Sequence, residues 1–358
     1  MKVASIVGTR PQFIKLAPLS REIRKKHREV LIDTGQHYDE EMAGIFFTEF
    51  KIPKPDHSLG IGSGGHGEQT GKMLVALEKV LEMEEPALAI VFGDTNSTLA
   101  GALAAAKLNI PVAHVEAGLR SYDTTMPEEH NRRLADHLST LLFCPTDTAK
   151  ENLKREGITE GVHVVGDVMV DSLEESRKAA QRHSTILDQL NLKKSEYQLL
   201  TMHRPNNVDV KENLENILKA IGDSRVRTVF PVHVRTAKML KEFGLDEKLP
   251  ANIVTTRPLG HMDTVWLEAN SSLVLTDSGG VQKEAYLLGV PCITLRNTTE
   301  WIETVNTKWN VLVGSDPKKI HETIVHLNPP KHHPQLFGPT GASERIAALI
   351  DSFLSKKT

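Results

Sequence analysis

Thr276-Asp277-Ser278-Gly279-Gly280 is the segment whose residue types and spacing say most about chemistry. The run Ser272-Leu273-Val274-Leu275 before it predicts a buried strand, and Val281 to Leu288 after it predicts a helix. A strand, a Ser-Gly-Gly turn and a helix put free backbone N–H groups and a positive helix end where an anion can dock. Two glycines let a phosphate approach the backbone with no Cβ in the way. Ser278, Gly279 and Gly280 are therefore candidate phosphate contacts. Glu284, about one and a half helical turns further on, is placed to reach a ribose hydroxyl. The expected ligand is a nucleoside diphosphate.

Other polar residues follow apolar runs in the same way. Gly8-Thr9-Arg10-Pro11 places Arg10 at a helix start, and an arginine can grip a phosphate through two parallel N–H bonds. Lys15 lies five residues on; alone, the pair reads equally well as two solvated bases. Asp94 follows Gly93, and Glu116 ends the run before Ala117-Gly118. Glu128 and Glu129 open a predicted helix, where acids also suit the helix dipole, so Glu129 has a structural explanation. Asp94, Glu116 and Glu128 are candidates for proton transfer and for accepting sugar hydroxyls. His203, in Met202-His203-Arg204, could donate to a pyrophosphate oxygen.

The elements that must position these groups alternate. Strands are predicted at Lys2–Val7, Glu29–Thr34, Ala87–Phe92, Val112–Val115 and Leu141–Cys144, with helices between them. A second set begins after about Asp167, with strands near Tyr197–Met202, Thr228–Val232, Asn252–Thr255, Leu273–Thr276 and Cys292–Leu295. A helix from about Asp39 and a loop over Leu59–Gly67 are also expected. The pattern is α/β, with two Rossmann-like domains facing a central cleft. Arg10, Asp94, Glu116, His203 and Ser278 all fall at the carboxyl ends of predicted strands, where open parallel sheets bind ligands.

Bulk properties narrow the function. The chain has 358 residues, enough for two domains, with 39% hydrophobic and 25% charged residues. A net charge of −3 offers no electrostatic reason for nucleic acid or an anionic membrane. Cys144 and Cys292 sit in apolar runs and build neither a metal site nor a disulfide framework, so a cytoplasmic setting is expected. Met1-Lys2 leads straight into a strand, so no signal peptide is expected. Gly65 to Met73 superficially suggests a phosphate-binding loop of the ATPase type. The spacing fails at His66, and Met73 replaces the hydroxyl that would hold Mg²⁺.

Taken in order, Gly8-Thr9-Arg10-Pro11, Gln36-His37, Gly93-Asp94-Thr95, His114-Val115-Glu116-Ala117-Gly118-Leu119-Arg120, Pro127-Glu128-Glu129, His203-Arg204 and Asp277-Ser278-Gly279-Gly280 resemble the non-hydrolysing UDP-N-acetylglucosamine 2-epimerases. The resemblance runs to Ser343-Glu344-Arg345-Ile346. It implies the GT-B fold, with an N-terminal domain over 1–167, a UDP-binding domain over 168–342, and a helix over 343–358 packing back on the first domain. It implies a homodimer that needs no cofactor and no metal. Arg10, His203, Ser278 and Gly279 would hold the UDP phosphates and Glu284 the ribose. Lys15, Arg132 and Asn297 would lie near the sugar, with Asp94, Glu116, Glu128 and His203 serving catalysis. Gln36, His37 and Gln69 would form an allosteric substrate site. The implied reaction is C2 epimerisation of UDP-N-acetylglucosamine to UDP-N-acetylmannosamine, feeding polysaccharide synthesis.

Three departures bear on the substrate. Thr298-Thr299-Glu300-Trp301-Ile302-Glu303 has Trp301 where the family commonly has Arg near the expected sugar pocket. That feature resembles the branch acting on UDP-2,3-diacetamido-2,3-dideoxyglucuronic acid. Asn206 stands where an acid is common, and His261 where a Tyr is common near the base. The other readings are a hydrolysing epimerase, a GT-B glycosyltransferase and a non-catalytic UDP-sugar binder; the acid cluster weighs against the last two.

Overall fold

Strands that are buried on both faces carry near-continuous apolar runs, and several segments of this chain do so. A computed structural model describes residues 1–36 and 52–356. The described residues divide into two compact units, one over Met1–Ser172 together with the chain from Phe337 onward, the other over Leu173–Leu336.

The first unit is built on seven parallel strands: β1 (Lys2–Val7), β2 (Arg28–Asp33), β3 (His57–Ser58), β4 (Leu88–Phe92), β5 (Val112–Val115), β6 (Leu141–Cys144) and β7 (Val162–Val164). Their order is β3-β2-β1-β4-β5-β6-β7. Period-2 alternation splits the core between the two faces. Val3, Val7, Leu88, Ile90 and Phe92 join Phe13, Leu16 and Leu19 on one side. Ala4, Ile6, Ala89 and Val91 join Met73, Leu77 and Ala102 on the other. The helix Asn96–Lys107 lies very close to the sheet, because a Cβ at Gly101 would sit 3.0 Å from Val91.

The helix Ala342–Ser355 belongs to this first unit. Ile346, Ile350 and Leu354 share a buried cluster with Leu16, Leu19 and Ile23 of the helix Arg10–Ile23. Asp171 anchors the start of the returning segment, accepting the N–H groups of Gly341 at 2.6 Å and Ser343 at 2.9 Å.

The second unit repeats the plan with six parallel strands: β8 (Gln198–Thr201), β9 (Thr228–Pro231), β10 (Ile253–Thr256), β11 (Leu273–Thr276), β12 (Cys292–Thr294) and β13 (Asn310–Leu312). The order is β10-β9-β8-β11-β12-β13. Leu200, Phe230, Leu275 and Ile293 face one cluster, and Leu199, Val229, Val274 and Cys292 face the other. In each sheet the order reverses once, between β1 and β4 and between β8 and β11. Those are the switch points at which such sheets bind ligands.

The expected helix from about Asp39 lies outside the described residues. Among the described residues, no helix is long and apolar enough to cross a membrane. Cys144 and Cys292 are buried, and burial pushes both thiols up to about 12, which makes them inert packing groups.

Candidate active site

The turn after β1 is fixed by Gln12, at the third position of the helix Arg10–Ile23. Its Oε1 accepts the N–H groups of Gly8 at 2.8 Å and Thr9 at 3.2 Å. Its Nε2 donates to the Phe92 carbonyl at 2.8 Å and to Thr95 at 3.0 Å. One buried amide thus ties the turn carrying Arg10 to the turn carrying Asp94. Thr9-x-x-Gln12 is a capping-box pattern, and that is the signal by which the sequence could have singled out Gln12.

Around the β4 turn the first unit brings together Lys15, Asp94, Glu116 and Arg132. Lys15 Nζ pairs with Glu116 Oε2, and both side chains are mostly buried. Arg132 Nη2 meets Asp94 Oδ2 at 2.5 Å, and its Nη1 meets Glu129 Oε2 at 2.7 Å. Gly93 has φ +61°, and a Cβ there would stand 3.3 Å from Lys15 Nζ and 3.4 Å from Glu116 Oε2. Glu116 itself has φ +73°. The left-handed region costs an L-residue roughly 1–2 kcal/mol, and such strain concentrates at functional positions.

Glu129 is structural. Buried, it accepts the Ser121 N–H and hydroxyl at 2.9 Å and the Tyr122 N–H at 3.2 Å. Glu128 is half-buried, with no side-chain hydrogen bond or ion pair among the described residues.

Gln36 and Gln69 are wired to the same turn. Gln36 Oε1 accepts the Ser97 N–H at 2.9 Å. Gln69 Nε2 donates to the Gln36 carbonyl at 3.2 Å, and its Oε1 accepts from Asn96 at 2.8 Å. Asn131 then bridges Asn96 at 3.2 Å and the Asp94 carbonyl at 3.0 Å. His37 lies outside the described residues.

In the second unit Ser278 stands at the N-cap position of the helix Gly279–Leu287, with no side-chain capping bond of its own. The wholly buried Asp277 beside it accepts the N–H groups of His203 at 3.1 Å and Arg204 at 2.9 Å, and the Asn207 amide at 3.1 Å. Asn207 also donates to the Leu295 carbonyl at 2.9 Å. The turns after β8, β11 and β12 are therefore one hydrogen-bonded unit.

His203 lies with its Nδ1 3.4 Å from Asp277 and its ring centroid 5.7 Å from that of His233. Desolvation lowers its pKa from the ordinary 6.5; Arg204, His233 and Arg235 add to the fall, while Asp277 opposes it. Glu284 is buried within the helix, and Asn297 is exposed after β12, with its Oδ1 against Gly314.

Glu300 and Trp301 lie beside Gly279. A Cβ on Gly279 would collide with the Glu300 carboxylate, which pairs with Arg296 at 3.1 Å. Trp301 is 3% exposed, with the buried Lys283 ammonium 4.3 Å from its ring centroid. His261 is also buried, 3.2 Å from the Ser176 hydroxyl.

Sequence reasoning did not single out Gln12, Asn131, Asp136 or Asp277 as functional. Each works through partners brought from distant parts of the chain.

A family model described as UDP-N-acetylglucosamine 2-epimerase matches residues 21–351. A Methanococcus maripaludis protein named UDP-N-acetylglucosamine 2-epimerase homolog is 54% identical, over 98% of this chain and 99% of its own. A Pseudomonas aeruginosa protein named UDP-2,3-diacetamido-2,3-dideoxy-D-glucuronate 2-epimerase is 44% identical, over 98% of this chain and 99% of its own. The crystal structure of Methanocaldococcus jannaschii UDP-GlcNAc 2-epimerase with UDP-GlcNAc and UDP matches with a TM-score of 0.91 and 47% identity, covering 98% of this chain and 100% of that one.

Proposed function

The chain belongs to the UDP-N-acetylglucosamine 2-epimerase family, and on that premise we propose that it interconverts UDP-N-acetylglucosamine and UDP-N-acetylmannosamine. The observation that supports this most is the pair of carboxylates beside the β4 turn, Asp94 on Arg132 and Glu116 on Lys15. Each is matched to a cation, and Glu116 is held in a strained backbone conformation.

The C2–H of an N-acetylhexosamine is a poor acid, so direct deprotonation is unattractive. The C1–O bond to UDP breaks first, its electron pair leaving with the diphosphate. Positive charge then develops at C1 and makes C2–H acidic. A carboxylate among Asp94, Glu116 and Glu128 takes that proton, giving 2-acetamidoglucal. A proton returns to the opposite face of C2 and UDP adds back to C1. Arg10, His203 and the Ser278-Gly279-Gly280 turn stabilise the departing diphosphate, and Glu284 accepts from the ribose. Lys15, Arg132 and Asn297 orient the sugar. Gln36 and Gln69 belong to the proposed allosteric site, and their hydrogen bonds toward the Asp94 turn support a link between the two. In this reading the enzyme is a cytoplasmic homodimer, needs no redox cofactor, and feeds polysaccharide synthesis.

The second reading keeps the chemistry and takes the diacetamido uronate. Trp301 in place of the family's Arg favours it, as does the similarity to the Pseudomonas protein. Incubation with UDP-N-acetylglucosamine in D₂O, followed by proton NMR, separates the two. UDP-N-acetylmannosamine carrying deuterium at C2 is the expected product. No exchange with this sugar, but exchange with the uronate, would transfer the assignment.

A further inference from the structure

His114, the last residue but one of β5, is wholly buried and takes no direct part in the reaction above. Its Nδ1 lies 2.7 Å from Asp136 Oδ1, and its Nε2 lies 2.7 Å from the Gly93 carbonyl oxygen. A carbonyl oxygen only accepts. The Asp136 carboxylate is likewise an acceptor here at both oxygens: Oδ1 also takes the Gly118 N–H at 3.3 Å, and Oδ2 takes the same N–H at 3.1 Å and the Arg120 guanidinium at 2.7 Å. A neutral imidazole has one N–H and one lone pair, so either tautomer would set a lone pair against an oxygen at one of these contacts. Both ring nitrogens must carry hydrogen.

The surrounding charges accommodate that cation. His114 and Arg120 are balanced by Asp136 and by Glu156, which Arg120 Nη2 meets at 2.8 Å. Desolvation works against the charge on Arg120, but Glu156 and Asp136 outweigh it and raise its pKa. Acid and base alternate through His114, Asp136, Arg120 and the partly exposed Glu156, which also meets Arg133 Nε at 3.5 Å and His137 Nε2 at 3.7 Å.

The network clamps the turn beside the carboxylates. The Gly93 N–H donates to the Val115 carbonyl at 3.0 Å, while the Gly93 carbonyl receives His114. Gly93 is thus held at both ends by consecutive residues of β5. Asp94 follows Gly93 directly, and Glu116 follows Val115 directly. We propose that His114 is a positioning residue, doubly protonated, that fixes the spacing of Asp94 and Glu116 for proton transfer at the sugar. This rests on the epimerase reading above for its consequence, but not for the protonation state.

Two measurements test it. In ¹⁵N-histidine-labelled protein near neutral pH, the His114 ring is expected to show a directly bonded hydrogen on both nitrogens, assigned by its loss in His114→Gln. The glutamine amide can serve only one of the two acceptors well. His114→Gln is therefore expected to lower kcat by about 100-fold, the scale of an ångström-level misplacement, with KM nearly unchanged. A neutral His114 tautomer in the active wild-type enzyme overturns the proposal, as does a folded His114→Gln enzyme with wild-type kcat. If that variant does not fold, the spectrum of the unmodified protein, with His114 assigned from the neighbouring backbone, still decides. Wild-type protein without turnover on either UDP-sugar would overturn the epimerase reading and the positioning role together, whatever the state of the ring.

Discussion

Asp277 and His203, 74 residues apart in sequence, are joined through the backbone: the His203 N–H donates to both carboxylate oxygens of Asp277 at 3.1 Å. Asp277 also takes the Arg204 N–H and the Asn207 amide. It holds the proposed phosphate residues of two turns in one frame, Ser278 beside it and His203 across the sheet's switch point. Asp277→Asn would set an amide NH₂ against backbone N–H donors. The expected cost is about 1–3 kcal/mol of stability, read from denaturant unfolding of the second unit, with weaker UDP binding by calorimetry. Wild-type affinity and stability would show that the frame is dispensable.

The position of His203 also makes a pH prediction. Its folded-state pKa lies below the ordinary 6.5, chiefly through desolvation. An unfolded chain therefore takes the proton first as pH falls. Its contribution to stability is present above 6.5 and is lost as pH falls through the folded value. A diphosphate brings negative charge and reverses the balance, raising the pKa in the complex. UDP-sugar binding should take up a proton near neutral pH, and affinity should rise as pH falls toward 6. Calorimetry in buffers of different ionisation enthalpy, on Glu116→Gln to block turnover, would read the uptake. His203→Asn in that background should abolish it, and an unchanged uptake there would place the proton elsewhere.

How far the sequence reveals this depends on where each signal resides. β4, Leu88-Ala89-Ile90-Val91-Phe92, is apolar throughout because helices cover both faces, and it reads as a strand at once. β3, β7 and β13 sit at sheet edges, are two or three residues long, and include His57, Ser58, His163 and Asn310. They carry no run to detect. Asp94, Glu116, His203 and Ser278 were legible because each follows an apolar strand at a turn. Asp136 and Asn131 were not, since both look like ordinary polar residues of the helix Pro127–Leu138 until the fold sets them against His114 and Asp94. Trp301 stood out as a departure near the expected sugar pocket; its packing against Lys283 came only with the structure.

Glu116 and Asp94 lend themselves to isosteric substitution. Glu116→Gln keeps the shape but loses the proton acceptor and the charge facing Lys15. Asp94→Asn does the same opposite Arg132. Each should lower kcat by about 10²–10⁴-fold, the usual range for a general acid or base. UDP affinity should remain within a few-fold, as the proposed diphosphate contacts are not altered. Turnover by C2 deuterium exchange and UDP affinity by calorimetry test both halves. Wild-type turnover in both variants would remove these carboxylates from the proton-transfer step.

Gly279 offers the sharpest test of the phosphate turn. An added Cβ would overlap the Glu300 carboxylate, so Gly279→Ala must displace either Glu300 or the first turn of the helix Gly279–Leu287. Nothing in the helical backbone itself forbids alanine, whose helix propensity exceeds that of glycine. The damage should therefore come from the clash with Glu300 and from a Cβ standing where the phosphate is proposed to approach. UDP affinity is expected to fall by about tenfold, equivalent to about 1.4 kcal/mol. Glu300→Ala removes the colliding carboxylate, so the double variant should recover part of the loss. That recovery is a coupling between two contacting residues, and a double-mutant cycle measures it. Additive losses would mean that Glu300 does not set the space at Gly279. Undiminished UDP affinity in Gly279→Ala would move the diphosphate away from this turn altogether.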